Sequence, residues 1–168
     1  MAEPWLPLAG LRVVDFSMFV PGPFCSALLA DLGAEVIKVE QPKGDPGRSY
    51  VPVQFNTENR NKRSLAVDLK NRNSAALIER LIKQTDIVLE GFRPGVAKRL
   101  GIDFLSLSKF NSSLIYCSIS GYGQTGPWRE RPGHDVNYVA AAGALCFPGQ
   151  WLKPPSRSSL AIADMAGG

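Results

Sequence analysis

The sequence is poor in the residues that build metal centres and redox sites. Its 168 residues include one histidine and three cysteines, Cys25, Cys117 and Cys146. The cysteines are far apart and odd in number, and they form neither a CxxC motif nor a zinc-binding spacing. One histidine without clustered cysteines is a poor ligand set, so we predict no metal site. The cysteines are expected to be small buried hydrophobic residues.

Long apolar runs and a strong charge of one sign are also lacking. No apolar stretch is long enough to span a bilayer. Residues 1–5 contain an acid and a proline where a secretory signal has a basic segment and an apolar run. The net charge of +4 is small and scattered, and clusters such as residues 60–63 are typical of solvated faces, with a polyanionic small ligand as the alternative. We therefore expect a cytoplasmic protein that binds neither membranes nor nucleic acid.

Short apolar runs alternate with amphipathic segments along the chain. Hydrophobic residues make up 45% and charged residues 20%, as in ordinary globular proteins. Strands are predicted over residues 11–16, 35–40, 64–69, 86–90 and 114–119, and helices over 24–32, 73–84, 94–100, 104–110 and 136–145. This alternation predicts an α/β fold with a Rossmann-like, open, mostly parallel sheet and flanking helices.

Three stretches, residues 41–61, 121–133 and 147–159, are rich in glycine, proline and polar residues and are predicted to be loops. Residues 121–126 fit the GxGxxG pattern. A dinucleotide site needs a helix to begin there, yet the next residues, PWRERP, are typical of a loop. We therefore interpret the pattern as accidental.

Near its end the chain has a strand-like run, residues 160–163, that leads into Asp164, and the sequence stops at Gly168. A domain seldom ends where a helix would begin. We expect the chain to be a fragment, or one subunit of a split protein.

Four ordered blocks carry a family resemblance. They are LRVVDFSMFVPGPFCSALLADLGAEVIKVE (11–40), NRNKRSLAVDLK (59–70), DIVLEGFRPGVAKRLG (86–101) and LIYCSISGYGQTG (114–126). Together they resemble the N-terminal part of the family III CoA-transferases, and of the α-methylacyl-CoA racemases in particular. The resemblance implies a Rossmann-like large domain, a smaller second domain, and two ring-like chains linked through each other. Residues 1–168 would form the N-terminal part of the CoA-binding large domain, without its C-terminal part or the second domain.

The resemblance implies a coenzyme A thioester as substrate, no tightly bound cofactor, and one of two reactions. Transferases move CoA between carboxylic acids, and a carboxylate attacks the thioester to form a mixed anhydride. Racemases invert the centre beside the thioester carbonyl, where one base removes a proton and an acid on the opposite face returns one. The expected protein partner is a second copy of the chain or the missing half of the fold.

Two residues match catalytic positions of the family. Asp164, in ADMAGG, matches the aspartate that both reactions use. His134, in PGHDVNY, resembles the GHDINY block of the racemases, where transferases usually have an aromatic residue. Imidazole suits proton exchange because its unperturbed pKa lies near neutrality. Each residue also has a structural interpretation, as the cap of a helix that follows it.

Other positions match family blocks that hold CoA. They are Val67, Lys70, Gly91, Phe92 and Arg99, with the two basic side chains expected to contact phosphates. Many family members have arginine after the second strand, in ERP or DRP, whereas this chain has Gln41-Pro42. Lys43 is the expected substitute. Val20 stands where some transferases place glutamine, which favours the racemase reaction.

Three hypotheses follow. The first is an acyl-CoA racemase in which His134 and Asp164 exchange protons, with backbone N–H groups after Asp164 stabilising the enolate. The second is a CoA-transferase in which Asp164 is the nucleophile and His134 is structural. The third is an incomplete chain, or a subunit, that is inactive without its missing half. Substitution of His134 by alanine separates the first two, since it cripples only the racemase.

Overall fold

The computed structural model describes residues 5–147, 152–156 and 158–168. Its strands are β1 (Arg12–Asp15), β2 (Glu35–Glu40), β3 (Lys62–Ala66), β4 (Ile87–Glu90) and β5 (Ile115–Ser118). They form one parallel sheet in the order β3-β2-β1-β4-β5. The predicted α/β fold with an open parallel sheet is confirmed.

Eight α-helices lie within the described residues. They are α1 (Pro21–Asp31), α2 (Gly47–Tyr50), α3 (Pro52–Glu58), α4 (Ala75–Ile82), α5 (Val96–Arg99), α6 (Phe104–Leu107), α7 (Asp135–Ala141) and α8 (Ile162–Ala166). Short 3-10 helices cover Arg72–Ser74 and Ala144–Cys146. None of the described helices has the length and apolar content needed to cross a membrane.

The sheet is packed on both faces. Val13 and Val14 of β1 are both fully buried, and they belong to different hydrophobic clusters because neighbouring strand residues point to opposite faces. Val14 packs with Ile82 of α4, whereas Val13 packs with Ala30 of α1. Burial on both faces explains why these strands are nearly continuous apolar runs.

Helix α1 begins three residues earlier than its apolar pattern indicates. The sequence predicts a break at residues 21–23, but Pro21 starts the helix, because its fixed φ and missing N–H suit the first helical turn. Gly33, which follows the C-cap residue Leu32, has a φ of +103°, a conformation that glycine commonly provides just after a helix.

The prediction of a loop over residues 41–61 is wrong. Helices α2 and α3 lie within it, and the side chains of Asp45, Phe55 and Glu58 are buried. Proline and glycine suggested a loop, but Pro52 occupies the first turn of α3, where proline is tolerated.

Two predictions near the C-terminus are also wrong. Residues 160–163 form no strand; α8 begins at Ile162, so Asp164 lies in its first turn and is not its N-cap. The predicted buried helix over residues 136–145 is instead α7 followed by a 3-10 helix, and of residues 136–145 none is buried. Part of the predicted loop over 147–159, namely residues 148–151 and 157, lies outside the described residues.

The cysteines do not behave as buried hydrophobic residues. Cys117 and Cys146 are exposed, and Cys25 is only partly buried. Burial raises the pKa of the Cys25 thiol, so this partly enclosed thiol stays protonated at neutral pH.

Candidate active site

The sheet has a topological switch point between β1 and β4. From β1 the chain proceeds to β2 and β3 on one side, and then returns to β4 and β5 on the other. In open parallel sheets, ligands bind beyond the carboxyl ends of the strands at such a point. A cavity of about 760 Å³ lies here, lined by residues that follow β1, β4 and β5 and by residues of α3, α7 and α8.

Both predicted catalytic residues line this cavity. His134 is exposed and is the N-cap residue of α7, where its backbone N–H donates to Asn137 Oδ1 at 2.9 Å. Asp164 is partly buried in the first turn of α8. Residues that are 30 positions apart in the sequence therefore face one space, although nothing in this geometry assigns them a reaction.

Asp135 connects the two segments that carry these residues. Its side chain is 5% exposed, and Oδ1 accepts the backbone N–H groups of Ala163 at 2.7 Å and Asp164 at 3.3 Å. Asp135 is the first residue of α7, yet its carboxylate accepts N–H groups from the first turn of α8. Because Asp135 follows His134 directly, these contacts fix the backbone of Asp164 relative to that of His134.

Backbone donors for an enolate were predicted just after Asp164. The N–H of Met165 donates to Ala161 O at 3.0 Å, and the N–H of Gly167 donates to Ala163 O at 2.9 Å. These two groups are engaged within α8, so the prediction fails for both.

The loop over residues 121–133 packs on the ring of Tyr138. The Tyr138 hydroxyl donates to Gly133 O at 2.7 Å, and its ring makes an edge contact with Tyr122, whose ring contacts Trp128. A Cβ at Gly121 would lie 2.2 Å from the Tyr138 ring, so only glycine fits there. Of the three glycines in the GxGxxG pattern, Gly121 thus serves close packing against an aromatic ring, Gly123 and Gly126 have positive φ, and no helix begins directly after the pattern.

A buried ion pair fixes the loop after β1. Lys38 Nζ lies 2.9 Å from Asp45 Oδ2, with both side chains 2% exposed, and it donates to Ser17 O at 2.9 Å. The Lys38–Asp45 contact is a charge pairing outside regular hydrogen-bond geometry. Two residues after Ser17, Phe19 has a φ of +65°, a strained conformation for a bulky residue, and it lines the cavity.

A second buried pair lies beneath the start of α1. The Asp15 carboxylate accepts hydrogen bonds from the hydroxyl of Ser26 at 2.5 Å and from the hydroxyl of Ser17. Lys62 Nζ lies 3.4 Å from Asp15 Oδ2. Burial lowers the pKa of Lys62 to about 8, an effect that the Asp15 charge opposes. Asp15 is fully buried, so this network replaces water around its charge.

Glu40, at the end of β2, forms an ion pair with Arg48 of α2. Its carboxylate accepts hydrogen bonds from Arg48 at 2.6 Å, Ser64 at 2.7 Å and the backbone N–H of Asp45 at 2.8 Å. Burial raises the pKa of Glu40, but these hydrogen bonds outweigh it and lower the pKa to about 2. Glu40 therefore stays ionised and ties α2 to the sheet.

Of the residues predicted to hold CoA, Gly91 and Phe92 line the cavity directly after β4. The N–H of Phe92 donates to Glu90 Oε2 at 2.8 Å, which fixes this turn. The other four lie outside the cavity lining. Val67 is 5% exposed in the core after β3, and the remaining three, Lys43, Lys70 and Arg99, are exposed.

Several charged residues of this region were not found from the sequence. They are Asp15, Lys38, Asp45, Lys62 and Glu58, all of them buried or partly buried, and the Asp15–Lys62 pair joins positions 47 residues apart. Asp15 and Lys38 gave a usable signal, because each interrupts an otherwise apolar strand. Asp45 and Glu58 gave none, because they stand in a polar segment that resembles a loop.

A family comparison agrees with this architecture. The model of CoA-transferase family III matches residues 8–168. The chain belongs to CoA-transferase family III.

Three relatives illustrate the range of the family. An acyl-CoA transferase of Fusarium pseudograminearum is 41% identical over 96% of this chain and 39% of its own length. The α-methylacyl-CoA racemase of Homo sapiens is 40% identical over 97% of this chain and 41% of its own length. The crystal structure of a CaiB/BaiF family protein from Brucella suis is 38% identical, with a TM-score of 0.90 over 95% of this chain and 45% of that chain. The chain thus spans about two-fifths of the length of the curated relatives that it matches.

Proposed function

We propose that the protein is an acyl-CoA racemase or epimerase that acts on the carbon α to the thioester by two-base proton transfer. The observation that supports this proposal is that His134 and Asp164 line one cavity at the switch point of the sheet. Two-base inversion needs an acid and a base on opposite sides of one carbon. The two residues reach the cavity from different helices, which suits that requirement.

In the proposed reaction, the imidazole of His134 takes the α-proton from one epimer. The electron pair of the broken C–H bond moves into the thioester carbonyl and forms an enolate. The protonated carboxyl of Asp164 then gives its proton to the opposite face of the carbon. In the reverse direction the two residues exchange roles, and Asp135 keeps the backbone of Asp164 in place in both directions.

CoA is proposed to lie across the carboxyl edge of the sheet. Gly91 and Phe92 would flank it where they line the cavity. Lys43, Lys70 and Arg99, which are exposed beyond β2, β3 and β4, would contact its phosphates, and Val67 would border the adenine. No tightly bound cofactor takes part in this scheme.

The remaining part of a longer chain, or a second copy, is proposed to cover the C-terminal segment. Large apolar side chains there are exposed: Phe147 by 87%, Leu152 by 91% and Leu160 by 63%. Exposed apolar groups in such number are typical of surfaces that another element covers. Residues 1–168 would then form the N-terminal part of the CoA-binding domain.

A CoA-transferase is the second candidate, and it is favoured by the 41% identity to an acyl-CoA transferase. The carboxylate of Asp164 would attack the thioester carbonyl and release the CoA thiolate, leaving a mixed anhydride on Asp164. His134 would then serve only as the N-cap residue of α7.

One assay separates the two reactions. The protein is mixed with a 2-methylacyl-CoA and free carboxylic acids in D₂O, and the acyl-CoA pool is examined by mass spectrometry. The racemase proposal expects one deuterium on the original thioester. His134→Ala should lose this label only on the epimer whose α-proton His134 removes. The Asp31→Asn control, which alters a surface aspartate paired with Arg60, should label normally. A new thioester without the label would instead support CoA transfer.

A further inference from the structure

Glu58 is a buried acid that the two-base scheme does not use. Its residue exposure is 8%, and it lines the same cavity as His134 and Asp164. Glutamate is rarely buried to this degree without a cation. Among the described residues, no lysine, arginine or histidine lies within ion-pair distance of its carboxyl group.

Lys62, whose charge acts on the Glu58 carboxyl, is already engaged elsewhere. Lys62 Nζ donates to Pro23 O at 2.7 Å and to Asn59 Oδ1 at 3.0 Å, and it lies 3.4 Å from Asp15. An ammonium group has three protons to donate. Lys62 therefore acts on Glu58 only through its charge at a distance.

Gln54 fixes the orientation of the carboxyl group. One helical turn before Glu58 on α3, it donates from Nε2 to Glu58 Oε1 at 2.9 Å, and it lines the cavity as well. Oε2 receives no hydrogen bond from the described residues. That oxygen is the one available to a molecule in the cavity.

The surroundings of Glu58 disfavour its charged form. Burial raises the pKa of Glu58, the Gln54 hydrogen bond and the Lys62 charge lower it, and the carboxylates of Asp164 and Asp45 raise it, with a net rise. A carboxyl oxygen accepts a hydrogen bond from a hydroxyl group whether or not the acid carries its proton. Glu58 Oε2 is therefore a suitable acceptor for a hydroxyl group in the cavity.

We propose that Glu58, held by Gln54, is a specificity-determining residue that binds a hydroxyl group on the acyl chain of the CoA thioester. This inference rests on the proposed function. Glu58 and Asp164 line the same cavity, so a hydroxyl bound by Glu58 lies on the part of the acyl chain near the thioester, and the substrate class is a short hydroxyacyl-CoA. A plain acyl chain would leave Glu58 Oε2 without a hydrogen-bond donor, and sites built in this way reject the analogue that lacks the hydroxyl.

The test compares the binding of 3-hydroxybutyryl-CoA, butyryl-CoA and free CoA by isothermal titration calorimetry. The wild-type protein is expected to bind the hydroxylated thioester about 10- to 100-fold more tightly than butyryl-CoA. Glu58→Leu is expected to abolish this preference while free CoA binds unchanged. Glu58→Gln, which can still donate and accept, retains part of it. The control, Glu79→Leu, changes an exposed glutamate on α4 and keeps the full preference.

Equal binding of the two thioesters by the wild-type protein, or a preference that persists in a folded Glu58→Leu variant, overturns the role of Glu58 and leaves the proposed function intact. Absence of binding for free CoA and both thioesters contradicts the proposed function itself, and this inference with it. Thermal unfolding of each variant verifies folding. If Glu58→Leu does not fold, the isosteric Glu58→Gln variant decides, since an undiminished preference for the hydroxyl in that variant would again overturn the proposal.

Discussion

Between residues 11 and 119 the chain packs on both faces of a sheet, whereas beyond residue 119 it makes few buried contacts. Every described apolar side chain in the core lies between Val13 and Leu114. Among the described residues from 120 onward, only Asp135 is buried. The first region holds its shape through a continuous core, and the second depends on a few directed contacts.

This difference matters because the second region carries both proposed catalytic residues. His134 and Asp164 are held through Asp135 and through the packing of α7 on α8. Segments with few buried contacts open at low free energy, and mobile parts of active sites are drawn from such segments. The sheet therefore provides a rigid wall for the cavity, and the C-terminal segment provides the two residues proposed to react.

The largest expected effect is in the sheet region. Asp15→Ala removes one partner of a buried charge network and leaves Lys62 unpaired in the interior. We expect the free energy of unfolding to fall by about 3–5 kcal/mol, measured by urea denaturation. Glu79→Ala, which breaks an exposed i,i+4 pair with Lys83, should change it by less than about 0.5 kcal/mol. Similar losses in the two variants would show that burial does not govern the stability of this region.

The stability of the sheet region should also depend on pH. Because the folded pKa of Glu40 is lowered from 4.5 to about 2, its contribution to stability is complete above pH 4.5 and is lost as the pH falls toward 2. The free energy of unfolding, measured by urea denaturation at each pH in this range, should depend less steeply on pH in Glu40→Gln than in the wild-type protein. Identical slopes would mean that Glu40 makes no pH-dependent contribution.

The smallest change in global stability is expected in the C-terminal segment. Asp135→Ala removes the acceptor for the N–H groups of Ala163 and Asp164. Hydrogen exchange at these two amides should accelerate by about 10-fold or more, since hydrogen bonds to charged groups contribute about 1.5–3 kcal/mol. Amides of β1 should keep their protection. If β1 loses protection to the same degree, the two regions unfold as one unit and the comparison fails.

The two regions also differ in how well the sequence predicts them. Strands β1, β2, β4 and β5 were located to within one residue at their start, because buried parallel strands are apolar runs bounded by turn residues. Strand β3 begins two residues before its predicted start, because Lys62 and Arg63 conceal it on the edge of the sheet. The loop over 41–61 and the strand over 160–163 were wrong, because single turns of helix leave little periodicity.

The site was predictable only where the family resemblance supplied it. That resemblance singled out His134 and Asp164, and the fold brings them to one cavity. The burial of Glu58 and the pairing of Lys38 with Asp45 were not predicted, because Glu58 and Asp45 stand in a polar segment that resembles a loop.

The central claim is that His134 and Asp164 serve opposite faces of one carbon. It is tested most directly by following deuterium uptake from D₂O into the separate R and S epimers of a 2-methylacyl-CoA, with the wild-type protein, His134→Ala and Asp164→Ala. The account predicts that the wild-type protein exchanges both epimers, and that each variant loses exchange of one epimer by about 100-fold or more while inverting neither. Loss of both exchanges in Asp164→Ala with neither lost in His134→Ala would contradict it.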